Sequence, residues 1–307
     1  MTERRRVLDC FGGRVAVHAS GTGSDGALVL AAVQLRRIHA CLTRFDAGSE
    51  LSRLNADPRL VVPASAVLLR LAAAVGWAGA VSGGLVDATL LEPLERAGYV
   101  DSRPRSERFA EQPAPAPWRG PEAPAGPSPR AAWRAVGVLD GAVVRPPGVR
   151  LDPGGLGKGL AADLVAAGLA GQRTFAVDCG GDVRFGGTAG EPRRVLVADP
   201  RGGAPLHELE LTVGGVATSG VTRRAWIGPD GQPQHHLIDP ATGRPARTGV
   251  LQATALAPTA LEAEVRAKAA VLAGPRDGPR HLVHGGVLVP AHGEPVVVEA
   301  DALERAA

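Results

Sequence analysis

The chain has 307 residues, 45% hydrophobic and 21% charged, with a formal net charge of +3, enough to build one large core or two small ones. Only 3% of residues are aromatic and no Lys/Arg cluster alternates with rings, which argues against a nucleic-acid surface, and no stretch approaches the roughly 20 apolar residues of a membrane span. Three cysteines, far apart and outside any Cys-x-x-Cys arrangement, leave a disulfide framework and a zinc site without support.

In chain order, "MTERRRVLDCFGG" carries charge with no apolar run behind it, so no signal peptide is expected and the expected compartment is the cytoplasm. "RVAVHAS" (14–20) alternates as a strand does. "GALVLAAVQLRRIHACLTRF" repeats apolar residues at helical spacing and predicts a helix ending near Phe45. "SELSRLNADP" predicts a short helix that stops at Pro58, and "PASAVLLRLAAAVGWAGAVSGG" a longer one closed by Gly83 and Gly84. Ser49 and Asn55 read as helix-cap residues.

From about 101 to 130 the chain turns proline-rich and poor in branched apolar residues. Because "WRAVGVLDGAVVRPPGVRLD" resumes as short strands, this stretch reads as a loop or insertion within a single domain spanning 1–307. A helix is expected over 159–170, then a strand turning at paired glycines in "TFAVDCGGDVRFGG", where Gly180, Gly181 and Asp182 read as a tight turn. Strands follow at "RRVLVADP", "HELELTVGGVATSG" and "HHLIDP", a helix at "PTALEAEVRAKAAVLAG", and a closing pair at "HLVHGGVLVP" and "EPVVVEAD". Short strands with interspersed helices predict an α+β fold of mixed α/β layers.

The most chemically suggestive stretch is "VRLDPGGLGKGLAADL" (149–164). It is not a P-loop: Asp152 stands where the first glycine belongs, and Gly159 where Ser or Thr belongs. It is not a dinucleotide fingerprint either, since Leu160 occupies the third glycine position. Yet the chain has just two lysines among 34 basic residues, Lys158 and Lys268. Positions that keep lysine in so arginine-rich a chain either need a compact ammonium or kept it by chance.

Six segments stand in a fixed order: "FDAGSELSRLN", "GGLVDATLLEPLERAG", "RLDPGGLGKGLAADLV", "VDCGGDVRFGG", "VATSG" followed by "HHLIDPATGRP", and "APTALEAEVRAKAAVLAG". Together they resemble the ApbE family of FAD:protein FMN transferases, over about Phe11 to Gly274. The resemblance implies an ApbE-like fold with the flavin site between two sub-lobes. It also implies FAD as substrate, Mg²⁺, and a target flavoprotein whose Thr or Ser accepts FMN while AMP leaves.

Residue by residue, the resemblance places Phe11 against the flavin, Leu85, Val86 and Asp87 in the FAD-lining segment, and Asp152 and Lys158 on FAD. It sets His236 and Leu237 beside the isoalloxazine and scissile phosphate, and Asp239 in the Asp-Pro turn. The family's metal position maps to the Gly155 carbonyl with Glu264 and Lys268, where relatives carry Asp and Thr; lysine cannot ligate Mg²⁺. Thr222 stands where an aromatic ring is usual.

Independently of the resemblance, His236 suits a general base because imidazole titrates near neutrality. Alternatively, His235 and His236 are strand residues, one inward and one outward, Asp152 shapes a turn before Pro153, and Glu264 and Lys268 form an exposed i,i+4 pair. The alternative function is a non-catalytic flavin-binding paralogue with a degenerate metal site.

Overall fold

The computed structural model describes residues 2–101, 122–222, 224–228 and 231–299. Its centre is an eight-stranded sheet of β1 (Arg4–Cys10), β2 (Gly13–Ser20), β3 (Thr174–Asp178), β4 (Val183–Gly186), β5 (Gly214–Gly220), β6 (Val250–Ala257), β7 (Gly286–Pro290) and β8 (Val296–Val298). The strands lie side by side in chain order and every neighbouring pair is antiparallel.

The helices are α1 (Ser24–Leu42), α2 (Glu50–Ala56), α3 (Ala66–Val81), α4 (Leu91–Arg96), α5 (Gly157–Ala166) and α6 (Ala260–Asp277). Strand alternation divides the core. Phe175 and Val177 face the cluster built with α1, α3 and α5, while Ala176 faces the opposite cluster with Phe185 and Val216. That second cluster is closed by a hairpin of Arg193–Val197 and His207–Leu211, which supplies Val197, Leu209 and Leu211. A third cluster joins Leu237 and Ala253 to Val271 and Leu288 along α6. Mixed layers of helix and sheet are thus what the segment order predicts. Among the described residues no helix is long and apolar enough to cross a membrane.

Most expected elements are present with shifted ends: the first helix stops at Leu42, and the helix expected over 159–170 starts earlier, at Gly157, and stops at Ala166. Ser49 does cap α2, accepting the N–H of Ser52. Asn55 is not a cap. It sits in the last turn of α2 and pairs with both backbone groups of Leu151, donating to its carbonyl at 2.9 Å and accepting its N–H at 2.8 Å. α6 kinks at Gly274, whose φ of 81° leaves the helical region ahead of Pro275.

Of the proline-rich stretch, 102–121 lies outside the described residues. Its end is no free loop. Ala123 and Ala125 donate backbone hydrogen bonds to Arg247 and Leu272, and Gly126 donates to the Asp239 carboxylate.

Candidate functional site

The N-termini of α5 and α6 meet beside the sheet, each completed by a carboxylate from the other. Leu156, the N-cap of α5, offers no capping side chain; Glu264 of α6 instead accepts the N–H of Gly159 at 2.8 Å. In return, Asp163 of α5 accepts the N–H groups of Ala260 and Leu261 at 2.9 Å each. A Cβ at Gly159 would lie 2.5 Å from the Ala260 carbonyl oxygen, so only glycine permits this approach. The second glycine of "GKG" serves helix packing.

Around this junction three lobes open into one cleft. The first is walled by Phe11, Leu42, Phe45 and Tyr99, the second by Leu85, Val86, Leu237 and Leu272. The third is polar, with Thr218, Ser219, Gln252 and Lys268. Gly154 and Arg224 line all three.

Both lysines of the chain are here. Lys158 ion-pairs with Asp182, which is 1% exposed, and Lys268 reaches Glu264, which is fully buried, at 2.9 Å. Burial pushes the Asp182 carboxyl up, against the pull of Lys158. Burial also opposes the charge of Glu264, but the ammoniums of Lys268 and Lys158 and the Gly159 N–H hold its carboxyl below the usual range. Asp182 is therefore more than the turn residue that the sequence suggests.

The three positions assigned to a metal, Gly155, Glu264 and Lys268, do come together: a Cβ on Gly155 would lie 3.6 Å from Lys268 Cε. They do not make a metal-ligand set. One oxygen of Glu264 is held by the Gly159 N–H, the other by the Lys268 ammonium. No group of three or more His, Cys, Asp or Glu side chains suited to a metal occurs among the described residues. The expected exposed i,i+4 pair is a buried one.

Asp152 lines the first two lobes, its carboxylate held by Arg44 Nε at 2.8 Å and the Gly154 N–H at 3.0 Å. Burial raises its pKa, with Arg44 opposing. Asn55, bonded to Leu151, fixes the backbone just ahead of it. Arg44 itself lies 4.2 Å from the Phe45 ring centroid and 4.9 Å from that of Tyr99, and Tyr99 stacks on Trp226 at 5.4 Å.

Asp87 lines the second lobe. Its Oδ1 accepts from the N–H and hydroxyl of Thr89, while its buried Oδ2 has no partner among the described residues. Burial raises this carboxyl as well.

Only His235 lies in a strand, Pro233–His235; His236 follows it in a bend. His235 accepts the Leu237 N–H at Nδ1 and so donates from Nε2 to the Ala246 carbonyl at 2.7 Å; it is a neutral structural group, its pKa pushed down to about 4 by burial. His236 lines the second and third lobes, and its buried Nδ1 has no partner among the described residues. Burial, then Arg224 and Lys268, hold its pKa well below the ordinary value. Asp239 stands apart: its carboxylate accepts from Gly126, Ala241 and Thr242 and shapes a turn away from the three lobes.

Sequence reasoning missed Arg44, Tyr99 and Arg224. The guanidinium of Arg224 makes no hydrogen bond or ion pair among the described residues, though its charge acts on Asp152 and His236. The "SGVTRRAW" segment offered it beside the substituted Thr222, which also lines the third lobe.

A model of the ApbE family matches residues 11–288. Among curated proteins, the FAD:protein FMN transferase of Escherichia coli K12 is 32% identical over 149 residues, covering 47% of this chain and 42% of that protein. The protein of the same name from Rhodobacter capsulatus is 36% identical over 156 residues, covering 49% and 29%. The matched stretches thus span less than half of each relative. The crystal structure of the ApbE protein from Thermotoga maritima superposes with a TM-score of 0.79 at 24% identity, covering 97% of both chains, which shows the shared fold.

Proposed function

The chain belongs to the ApbE family, and we propose that it is an FAD:protein FMN transferase acting on a Thr or Ser of a target flavoprotein. The carrying observation is His236: an imidazole that its surroundings hold neutral and that lines both the apolar second lobe and the polar third. The cleft's shape supports FAD as substrate. Two apolar lobes flank a polar centre, as two flat ring systems flank a diphosphate. Gly154, the α5 N-terminus, Lys158 and Arg224 surround that centre.

In this reading the acceptor hydroxyl enters through the third lobe and its oxygen attacks the FMN-side phosphorus. The P–O bond to the AMP side breaks, and AMP departs with the bridging oxygen. His236 takes the hydroxyl proton. Burial and the nearby cations weaken it as a base; a diphosphate beside those cations would offset them and raise its pKa. No step is routed through a metal, because the residues at the expected metal position hold one another.

That same Lys268–Glu264 pair favours a second reading, a flavin-binding paralogue without transferase activity. One experiment separates the two. The protein is incubated with FAD and a peptide bearing the acceptor hydroxyl, with and without Mg²⁺, and the peptide's intact mass is read. A gain of one FMN supports the enzyme; tight FAD binding with an unchanged peptide mass supports the paralogue.

A further inference from the structure

We propose that Lys268 is a built-in replacement for the divalent cation, so that this chain holds the diphosphate of its flavin ligand without a metal. The proposal rests on FAD being the ligand, and it concerns how the diphosphate charge is met.

Three features carry it. The Lys268 stem lies against Gly155, so its ammonium occupies the space between the glycine loop and α6. Glu264 has both oxygens engaged, by Lys268 at 2.9 Å and by the Gly159 N–H at 2.8 Å. A carboxylate so committed has no free oxygen for Mg²⁺, which wants near-octahedral oxygen ligands and cannot share the site with a buried ammonium. His236 lines the lobes that Lys268 lines, so the charge faces the place where a reacting phosphate would sit.

The residue types agree with this role. In a chain that otherwise uses arginine, an ammonium at 268 supplies a compact point charge, which a planar guanidinium does not imitate. Glutamate rather than aspartate has the extra methylene that lets one carboxylate both cap α5 and hold the lysine. Lys158, paired with Asp182, also lines the polar third lobe, so two ammonium–carboxylate pairs stand at the diphosphate position.

The test has two independent readings. Mn²⁺ titration of the flavin-free protein, followed by electron paramagnetic resonance, is expected to show no stoichiometric uptake. FAD affinity, measured by calorimetry, is expected to agree within about twofold in EDTA and in millimolar Mg²⁺. The paired variant Glu264→Asp with Lys268→Thr should lose about tenfold or more of its FAD affinity in EDTA, the loss of a charged hydrogen bond, regain it with Mg²⁺, and take up Mn²⁺.

Stoichiometric Mn²⁺ uptake by the unaltered protein, or a tenfold gain in FAD affinity on adding Mg²⁺, overturns the proposal. Neither reading depends on transfer. A protein that binds FAD equally with and without metal but leaves the peptide unmodified counts against the transferase reading and for this one.

Discussion

Glu264 accepts the backbone N–H of Gly159, 105 residues earlier in the chain, at 2.8 Å. This bond and its reciprocal at Asp163 fuse two helix N-termini into one support for the cleft. Gly159→Ala would place a Cβ 2.5 Å from the Ala260 carbonyl oxygen and 2.7 Å from Leu261 Cα, both backbone atoms that cannot turn aside. The expected loss is about 1–3 kcal/mol despite alanine's better helix propensity, with weakened FAD binding. Gly155→Ala, whose Cβ would make ordinary contacts with the Lys268 stem at 3.6 Å and Val86 Cγ1 at 4.0 Å, serves as the control and should unfold at the unaltered midpoint in urea.

Lys158→Met removes the ammonium that faces buried Asp182, leaving an uncompensated carboxylate. Loss of stability at pH 7 should be about 3–5 kcal/mol. The sign with pH follows from Asp182. Burial already raises its folded pKa above 3.8, and loss of Lys158 raises it further, so stability drains as pH rises beyond the unfolded value. The variant's deficit should therefore shrink between pH 7 and pH 4.5 in urea unfolding. An equal deficit at both values would show that Asp182 is not the stranded group.

His235 provides a second titration, of opposite direction. Its folded pKa, pushed down to about 4 from 6.5, means that the unfolded chain binds the proton more readily. Stability is full above pH 6.5 and falls as pH drops toward 4, by about 3 kcal/mol from this group. His236, lowered in the same direction, adds to the slope. His235→Gln should flatten the stability profile over that window, which chemical denaturation at stepped pH would reveal; an unchanged slope would contradict the neutral, buried assignment.

Arg224→Ala should leave the unfolding midpoint within about 0.5 kcal/mol, because its guanidinium has no side-chain partner to lose among the described residues. FAD affinity should fall about 10- to 100-fold, the worth of a charged hydrogen bond to phosphate. The His236 imidazole, freed from a neighbouring cation, should titrate at a higher pH by NMR. Unaltered affinity would remove Arg224 from the site.

The helices and alternating strands were legible because amphipathic spacing and Ser49 leave local marks. Val250–Ala257 was not: nearly every residue is buried on both faces, and an alanine-rich run without alternation carries no strand signature. Arg4–Cys10 was hidden for the opposite reason, since an exposed edge strand keeps its charges outward. At the site, glycine, lysine and histidine positions stood out in sequence, whereas burial and long-range pairing did not. Asp182 gave no local sign of its buried pair with Lys158, nor Arg44 of its pair with Asp152. The glycine loop suggested phosphate binding throughout, yet Gly159 is needed for a helix crossing.

The reciprocal caps also set a clock on synthesis. At the usual 5–20 residues per second, Glu264 is made about 5–20 s after Gly159. Through that interval the first turn of α5 has been made without the acceptor that completes it, and the cleft has no floor. The nascent chain thus lacks the complete helix junction until α6 has been made.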